Sequence, residues 1–132
     1  MPYLTAYLAT VVSFVALDFV WLGAVAMSFY RDQLGMLMRD PINLPAAAAF
    51  YLIYVVGLVV FAVAPALSGG GWKTALTYGA LFGLCAYATY DLTNLATLRD
   101  WPVALTVVDL LWGTALSGTA ATIGYLITRK LA

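Results

Sequence analysis

The 132 residues include only six acidic and six basic side chains and no His, while 64% are hydrophobic and the mean hydropathy is +0.96. A soluble domain has about a quarter of its residues charged, so 9% excludes a water-soluble fold, and the balanced charge leaves no basic face for nucleic acid. A single Cys, with no His beside it, excludes a disulfide framework and leaves only Asp oxygens for a metal, so neither a metal site nor a cofactor is expected.

The partners that remain are membrane lipid, a small amphiphilic ligand, or other helices. A helix needs about 20 apolar residues to cross a bilayer core. Four such runs can be marked, at about 3–30, 44–67, 74–98 and 102–128, giving an all-α four-helix transmembrane bundle in a single domain over residues 1–132.

The first run contains Ala24-Val25-Ala26, which has the form of a signal-peptidase site. No Lys or Arg precedes the run and Asp18 interrupts it, so it is read as a retained helix. Its loop, Arg31 to Asn43, holds two Arg and two Asp and ends in Pro-Ile-Asn-Leu-Pro, where proline suits a helix start. Ser68-Gly69-Gly70-Gly71 separates the second and third runs, and Arg99-Asp100-Trp101-Pro102 makes a tight turn before the fourth. Trp72 and Trp101 stand at run ends, as aromatic belt residues do. Cys85, in mid-run, reads as a small buried hydrophobe. An even number of spans puts Lys73, Arg129 and Lys130 on the side of the termini and Arg31, Arg39 and Arg99 on the other, so loop charge hardly sets an orientation.

Three aspartates carry the functional signal. Asp18, Asp91 and Asp109 fall inside the runs, where an ionised carboxylate costs about 2.5–3.5 kcal/mol on insertion scales and must be offset by a partner. At about 1.5 Å per residue, Asp91 and Asp109 lie about 10 Å from the Arg99–Trp101 turn, at one level. Asp18 is deeper, and all three are best reached from the face bearing that turn and the Arg31–Asn43 loop. The expectation is a polar cavity opening there. Asp18-Phe19-Val20-Trp21 and Asp109-Leu110-Leu111-Trp112 repeat one pattern, with Gly23 and Gly113 following. Each Asp and Trp, three residues apart, share a helix face, so the indole can shield the carboxylate and donate to it. Tyr87, Asp91 and Asn94 form a stripe that should face the bundle interior, with Tyr90 beside it. Hydrogen-bond glue between helices, a binding or reaction pocket, and a proton or ion relay are three readings of this set.

Gly79 and Gly83, and Gly113, Ser117 and Ala121, are small residues at helix-contact spacing, suited to close packing or to a dimer face. Tyr51 and Tyr54 read as packing and pocket wall. Arg31, Arg39 and Arg99 are candidates for a rim that holds an anionic head group bidentately.

Leu17-Asp18-Phe19-Val20-Trp21-Leu22-Gly23, Phe29-Tyr30-Arg31 with Leu34-Gly35, Tyr87-Ala88-Thr89-Tyr90-Asp91-Leu92-Thr93-Asn94-Leu95-Ala96, Trp101-Pro102 and Asp109-Leu110-Leu111-Trp112-Gly113 together resemble a family of small four-span bacterial membrane proteins known only as a domain of unknown function. The resemblance implies a multi-pass protein of the bacterial inner membrane and supplies no catalytic residues. On the residues alone, the leading expectation is a pocket lined by Asp18, Asp91, Asn94 and Asp109 and walled by Trp21, Trp112, Tyr87 and Tyr90. Such a pocket would bind or pass a small amphiphilic or lipid-like molecule, and transport would call for a homodimer. The alternatives are a membrane enzyme that modifies an acyl chain or lipid by carboxylate acid–base chemistry, and a structural or partner subunit.

Overall fold

A computed structural model describes residues 2–38 and 43–131, apart from the side chain of Val25. Arg39, one of the three rim arginines, lies outside the described residues.

Helix α1 (Pro2–Trp21) continues through a π-helical turn (Leu22–Ala26) into α2 (Met27–Leu34), followed by a short 3₁₀ turn at Gly35–Leu37. Asn43 caps α3 (Leu44–Leu58), its side-chain oxygen accepting from the Ala46 N–H at 3.2 Å, with proline in the first helical turn. After α3 come π-helical turns at Val59–Val63 and Ala66–Gly70, then α4 (Gly71–Thr97) and α5 (Val103–Leu131). Pro65 sits between the two π turns, where the shifted hydrogen-bond ladder accommodates a residue without an N–H.

Among the described residues, three helical stretches are long and apolar enough to cross a membrane: Pro2–Ala24, Leu44–Thr97 and Val103–Leu131. The middle one has 54 residues, about 80 Å of helix against a hydrocarbon core of about 30 Å. It is two helices. Ser68 leaves the helical region, Gly69 and Gly71 take φ of 120° and 77°, and α4 folds back along Val59–Val63. Positive φ is the reason glycine occupies both positions.

The result is an up-down-up-down bundle of four crossings. Helix α5 packs on α4 and α1, and α3 with its first π turn closes the ring against α4 and α1. The interior holds Ala6, Phe14, Val55, Leu58, Ala62, Leu116 and Ala120. Phe19, Ile53, Phe61, Leu81 and Leu111 stand exposed on the outside, an apolar exterior suited to lipid. Cys85 is exposed too, beside Phe61, Tyr78, Leu81 and Phe82, so it faces outward and is not the buried hydrophobe expected. In a helix that is apolar on nearly every side, the pattern does not mark which side turns inward.

The small-residue stripes meet within the chain. Gly79 lies against Ala121 and Gly118, and Gly83 against Gly113 and Ser117. A side chain at Gly83 would collide with the Gly113 carbonyl oxygen and with Ser117. Without a hydrophobic effect between helices in lipid, this close approach is what holds α4 on α5. A Gly83→Ala substitution is expected to destabilise the bundle by about 1–3 kcal/mol through overpacking. Gly23→Ala, whose methyl meets open space, should leave stability unchanged. Thermal unfolding of both variants in detergent checks the contrast.

Candidate functional site

Register is the starting point. Along the α4–α5 contact Gly79 lies against Ala121, Gly83 against Ser117, and the Tyr87 ring against Gly113. One more four-residue step sets Asp91 opposite Asp109, and Asp109 is the acidic group that bears on Asp91. Glycine at position 113 leaves the space that the Tyr87 ring fills, and the level the two carboxyls share is a consequence of the packing stripe.

The two Asp-x-x-Trp repeats lie on α1 and α5, which run antiparallel and touch. Trp21 and Trp112 stack with ring centroids 4.5 Å apart and planes at 13°. The hydrogen bonds then cross between helices: Trp112 Nε1 donates to Asp18 Oδ1 at 3.1 Å, so the donor to Asp18 is the tryptophan of the other repeat. Tyr51 of α3 donates a second, short hydrogen bond to Asp18 Oδ2. On the opposite arm Trp21 Nε1 donates to the Tyr30 hydroxyl at 3.2 Å, and Tyr30 donates to Asp109 Oδ1 at 2.6 Å. Each carboxyl thus draws on an indole of the partner helix, directly for Asp18 and through a phenol for Asp109.

Tyr30 reaches this position because of the π turn. Nine residues separate it from Trp21. In an unbroken α-helix that is about two and a half turns, which would point the two side chains to opposite sides. The wider turn at Leu22–Ala26 rotates α2 back toward the bundle, and π turns of this kind are frequent at functional sites. The sequence marks Tyr30 as a span end within the Phe29-Tyr30-Arg31 segment of the family resemblance, and Tyr51 as packing or wall, without assigning either to an aspartate. Their roles depend on a helix irregularity and on a cross-bundle contact, and no spacing rule exposes either.

Satisfaction of the three carboxyls falls from one to the next. Asp18, 9% exposed, has both oxygens bonded; Asp109, 8% exposed, accepts from Tyr30; Asp91, 0% exposed, is reached by no donor among the described residues and stands against the Asp109 carboxyl. A buried polar group without a partner costs free energy, and a buried charge costs more.

A cavity of about 190 Å³ opens beside this network, lined by Asp18, Leu22, Tyr30, Leu34, Tyr90, Trp101, Leu105 and Asp109. It lies at the end of the bundle that bears the Arg99–Trp101 turn. Trp101 is 9% exposed and so is not an aromatic belt residue. Its indole N–H donates to Thr106 Oγ1 at 3.1 Å, and its ring meets Tyr90 edge-on at 5.6 Å. Asp100, at φ 62°, makes the sharp reversal that turns Trp101 inward, a conformation Asp tolerates better than most residues. A second, apolar groove of about 420 Å³ lies between α3 and α4, lined by Phe50, Tyr54, Ala86, Tyr87 and Tyr90. Tyr90 borders both.

The predicted site residues are therefore divided. Asp18, Tyr90 and Asp109 line the cavity. Asp91 is buried behind Asp109, Trp21 and Trp112 stack in the network, and Tyr87 lines the groove. Asn94 is half-buried and lines neither space. Arg31 borders a separate surface depression with Leu22, Gly23, Ala24, Met27 and Ser28, and Arg99 is exposed on its turn. Among the described residues, no three of the Asp and Cys side chains gather as a metal would require.

A family model described as "Predicted membrane protein (DUF2177)" matches residues 3–126. The chain belongs to this family. No curated protein and no solved structure matches it. For this DUF2177 member, then, the crossed tryptophan network is itself the guide to the site. Trp112→Phe should remove the exciton signal of the stacked indoles from the circular dichroism spectrum. Tyr30→Phe, which strips Asp109 of its donor, is expected to cost about 1–3 kcal/mol in detergent unfolding. Asp18→Asn keeps an acceptor for Trp112 and should cost less than Asp18→Leu, which strands two donors.

Proposed function

We propose that this membrane protein binds a small amphiphilic molecule, with its head group in the Asp18–Asp109 cavity and its tail in the groove that shares Tyr90. The observation that carries this reading is the unequal satisfaction of the carboxyls. Asp18 fits the role of hydrogen-bond glue. Asp109, which lines the cavity, accepts one hydrogen bond from Tyr30 and stands against Asp91, which no donor among the described residues reaches, and glue alone does not account for that.

The dimensions are in keeping. A space of about 190 Å³ corresponds to about six water molecules at bulk density, room for a head group rather than a whole drug-sized molecule. The groove is larger, and two of its lining residues, Phe50 and Tyr90, are exposed on the apolar exterior, so a tail could enter sideways from lipid. Binding is the activity assigned. Carriage across the membrane would call for a second copy, and the bacterial inner membrane is the location that the family resemblance implies.

Native mass spectrometry of the detergent-purified protein tests the reading. Wild type should retain a defined small molecule that is depleted in Asp109→Asn and in Trp101→Ala. Spectra showing the same bulk lipid on all three proteins would remove the pocket from consideration and leave the aspartates as structural.

A further inference from the structure

We infer that the head group taken by this cavity is cationic, of the alkylammonium type, and that it enters in exchange for a proton held at the Asp91–Asp109 pair. The inference rests on the ligand-pocket reading above and names the chemistry of its ligand.

Every ionisable side chain that lines the cavity is an acid: Asp18, Asp109, Tyr30 and Tyr90. None of the eight lining residues is Lys or Arg, and the described rim arginines, Arg31 and Arg99, are not among them. An anionic head group would thus meet carboxyls with no counter-charge. A neutral hydroxyl or amide head group donates a hydrogen bond but brings no charge to balance a carboxylate.

The second observation is Asp91. It is 0% exposed, no donor among the described residues reaches either oxygen, and the Asp109 carboxyl stands within hydrogen-bonding reach of it. A carboxyl closed off from water and lacking donors is stable as the acid, or beside a cation, and not as a bare anion. Its neighbour Asp109 is also a carboxyl and supplies no donor unless a proton lies between them. Among the described residues, the other titratable groups facing the pair are Tyr30 from α2, Tyr87 and Tyr90 from α4, and Asp18 from α1 with Tyr51 of α3 beyond it. All of these are acids, and none of them supplies a positive charge.

The cavity also has the walls an organic cation uses. Trp101, Tyr90 and Tyr30 all line it, and the Trp101 and Tyr90 rings meet edge-on. Aromatic faces attract alkylammonium groups, most strongly where water is excluded. Among the described residues no three Asp or Cys side chains gather as a metal ion would need, and the aromatic lining matches an organic cation. One proton leaves toward the Arg99–Trp101 end for each ligand charge that arrives, and the net charge of the site is unchanged.

The test uses full-length protein in nanodiscs of zwitterionic lipid, titrated with dodecyltrimethylammonium, dodecanol and dodecanoate, with empty nanodiscs as background. Quenching of tryptophan fluorescence reads binding, and a pH dye in weak buffer reads proton release. The cation should bind about tenfold or more tighter than the other two, release a proton, and bind progressively more weakly as pH is lowered. Asp91→Asn should abolish the proton release. If that variant does not fold, the wild-type pH series still decides, because a cation affinity independent of pH overturns the exchange. Equal binding of the neutral or anionic probe overturns the charge assignment and leaves the pocket standing. No binding of any probe above the empty nanodiscs overturns both.

Discussion

A carboxyl group in hydrocarbon must find donors inside the protein, and the architecture of this bundle is arranged around that requirement. Asp18 and Asp109 lie on neighbouring antiparallel helices, each three residues before a tryptophan. Stacking the two indoles fixes the relative height of α1 and α5 and places each indole N–H on the partner helix's side of the contact. The donors that complete the network come from elsewhere: Tyr51 on α3 and Tyr30 beyond the π turn. A change in the height of any of these elements would strand a polar group in a medium that offers no water to replace the lost partner. The polar network and the apolar packing therefore constrain one another.

Packing sets the second coordinate. Glycines at 79, 83 and 113 let α4 and α5 approach until backbone meets side chain, and the four-residue step of that contact carries Asp91 to Asp109. Tyr54, donating to or accepting from Ser117 at 2.7 Å, ties α3 to the same seam. Small residues here do more than close a gap, since their register brings two acidic groups together that would otherwise repel. Folding must stabilise that juxtaposition at the cost of leaving Asp91 without donors. Desolvated acidic groups of this kind are found at functional sites and in structural networks alike.

Legibility from sequence divides along the same physical line. The four crossings are readable because hydrocarbon imposes a minimum apolar length, and the turn at Ser68–Gly71 because glycine is needed where φ is positive. The shared level of Asp91 and Asp109 comes from rise per residue alone. The crossing of the hydrogen bonds is not readable: Asp18 and Trp21 do share a face, but a face shared within one helix does not say which neighbour it will meet. Tyr30 is hidden because the π turn changes the angular count after Trp21, and Cys85 because α4 is apolar on its outer side as well as within. Trp101 looks like a belt residue until the left-handed Asp100 turns it inward. These cases fail for one reason, that periodicity describes a helix and the site is a property of four.

The near-symmetry of the two Asp-Trp arms makes their difference informative. Had both carboxyls been saturated alike, the network would be sufficiently explained as the means by which four helices hold together in lipid. The arm built on Asp18 reaches that state with two donors. The arm built on Asp109 receives one, through a phenol whose position depends on a helix irregularity, and it stands against a third carboxyl that receives none. Among the three carboxyls the shortage falls at Asp91 and at Asp109, which lines a cavity together with Trp101. A purely structural network has no use for two unequal arms, whereas under the proposed pocket Asp109 belongs to the arm that a ligand reaches.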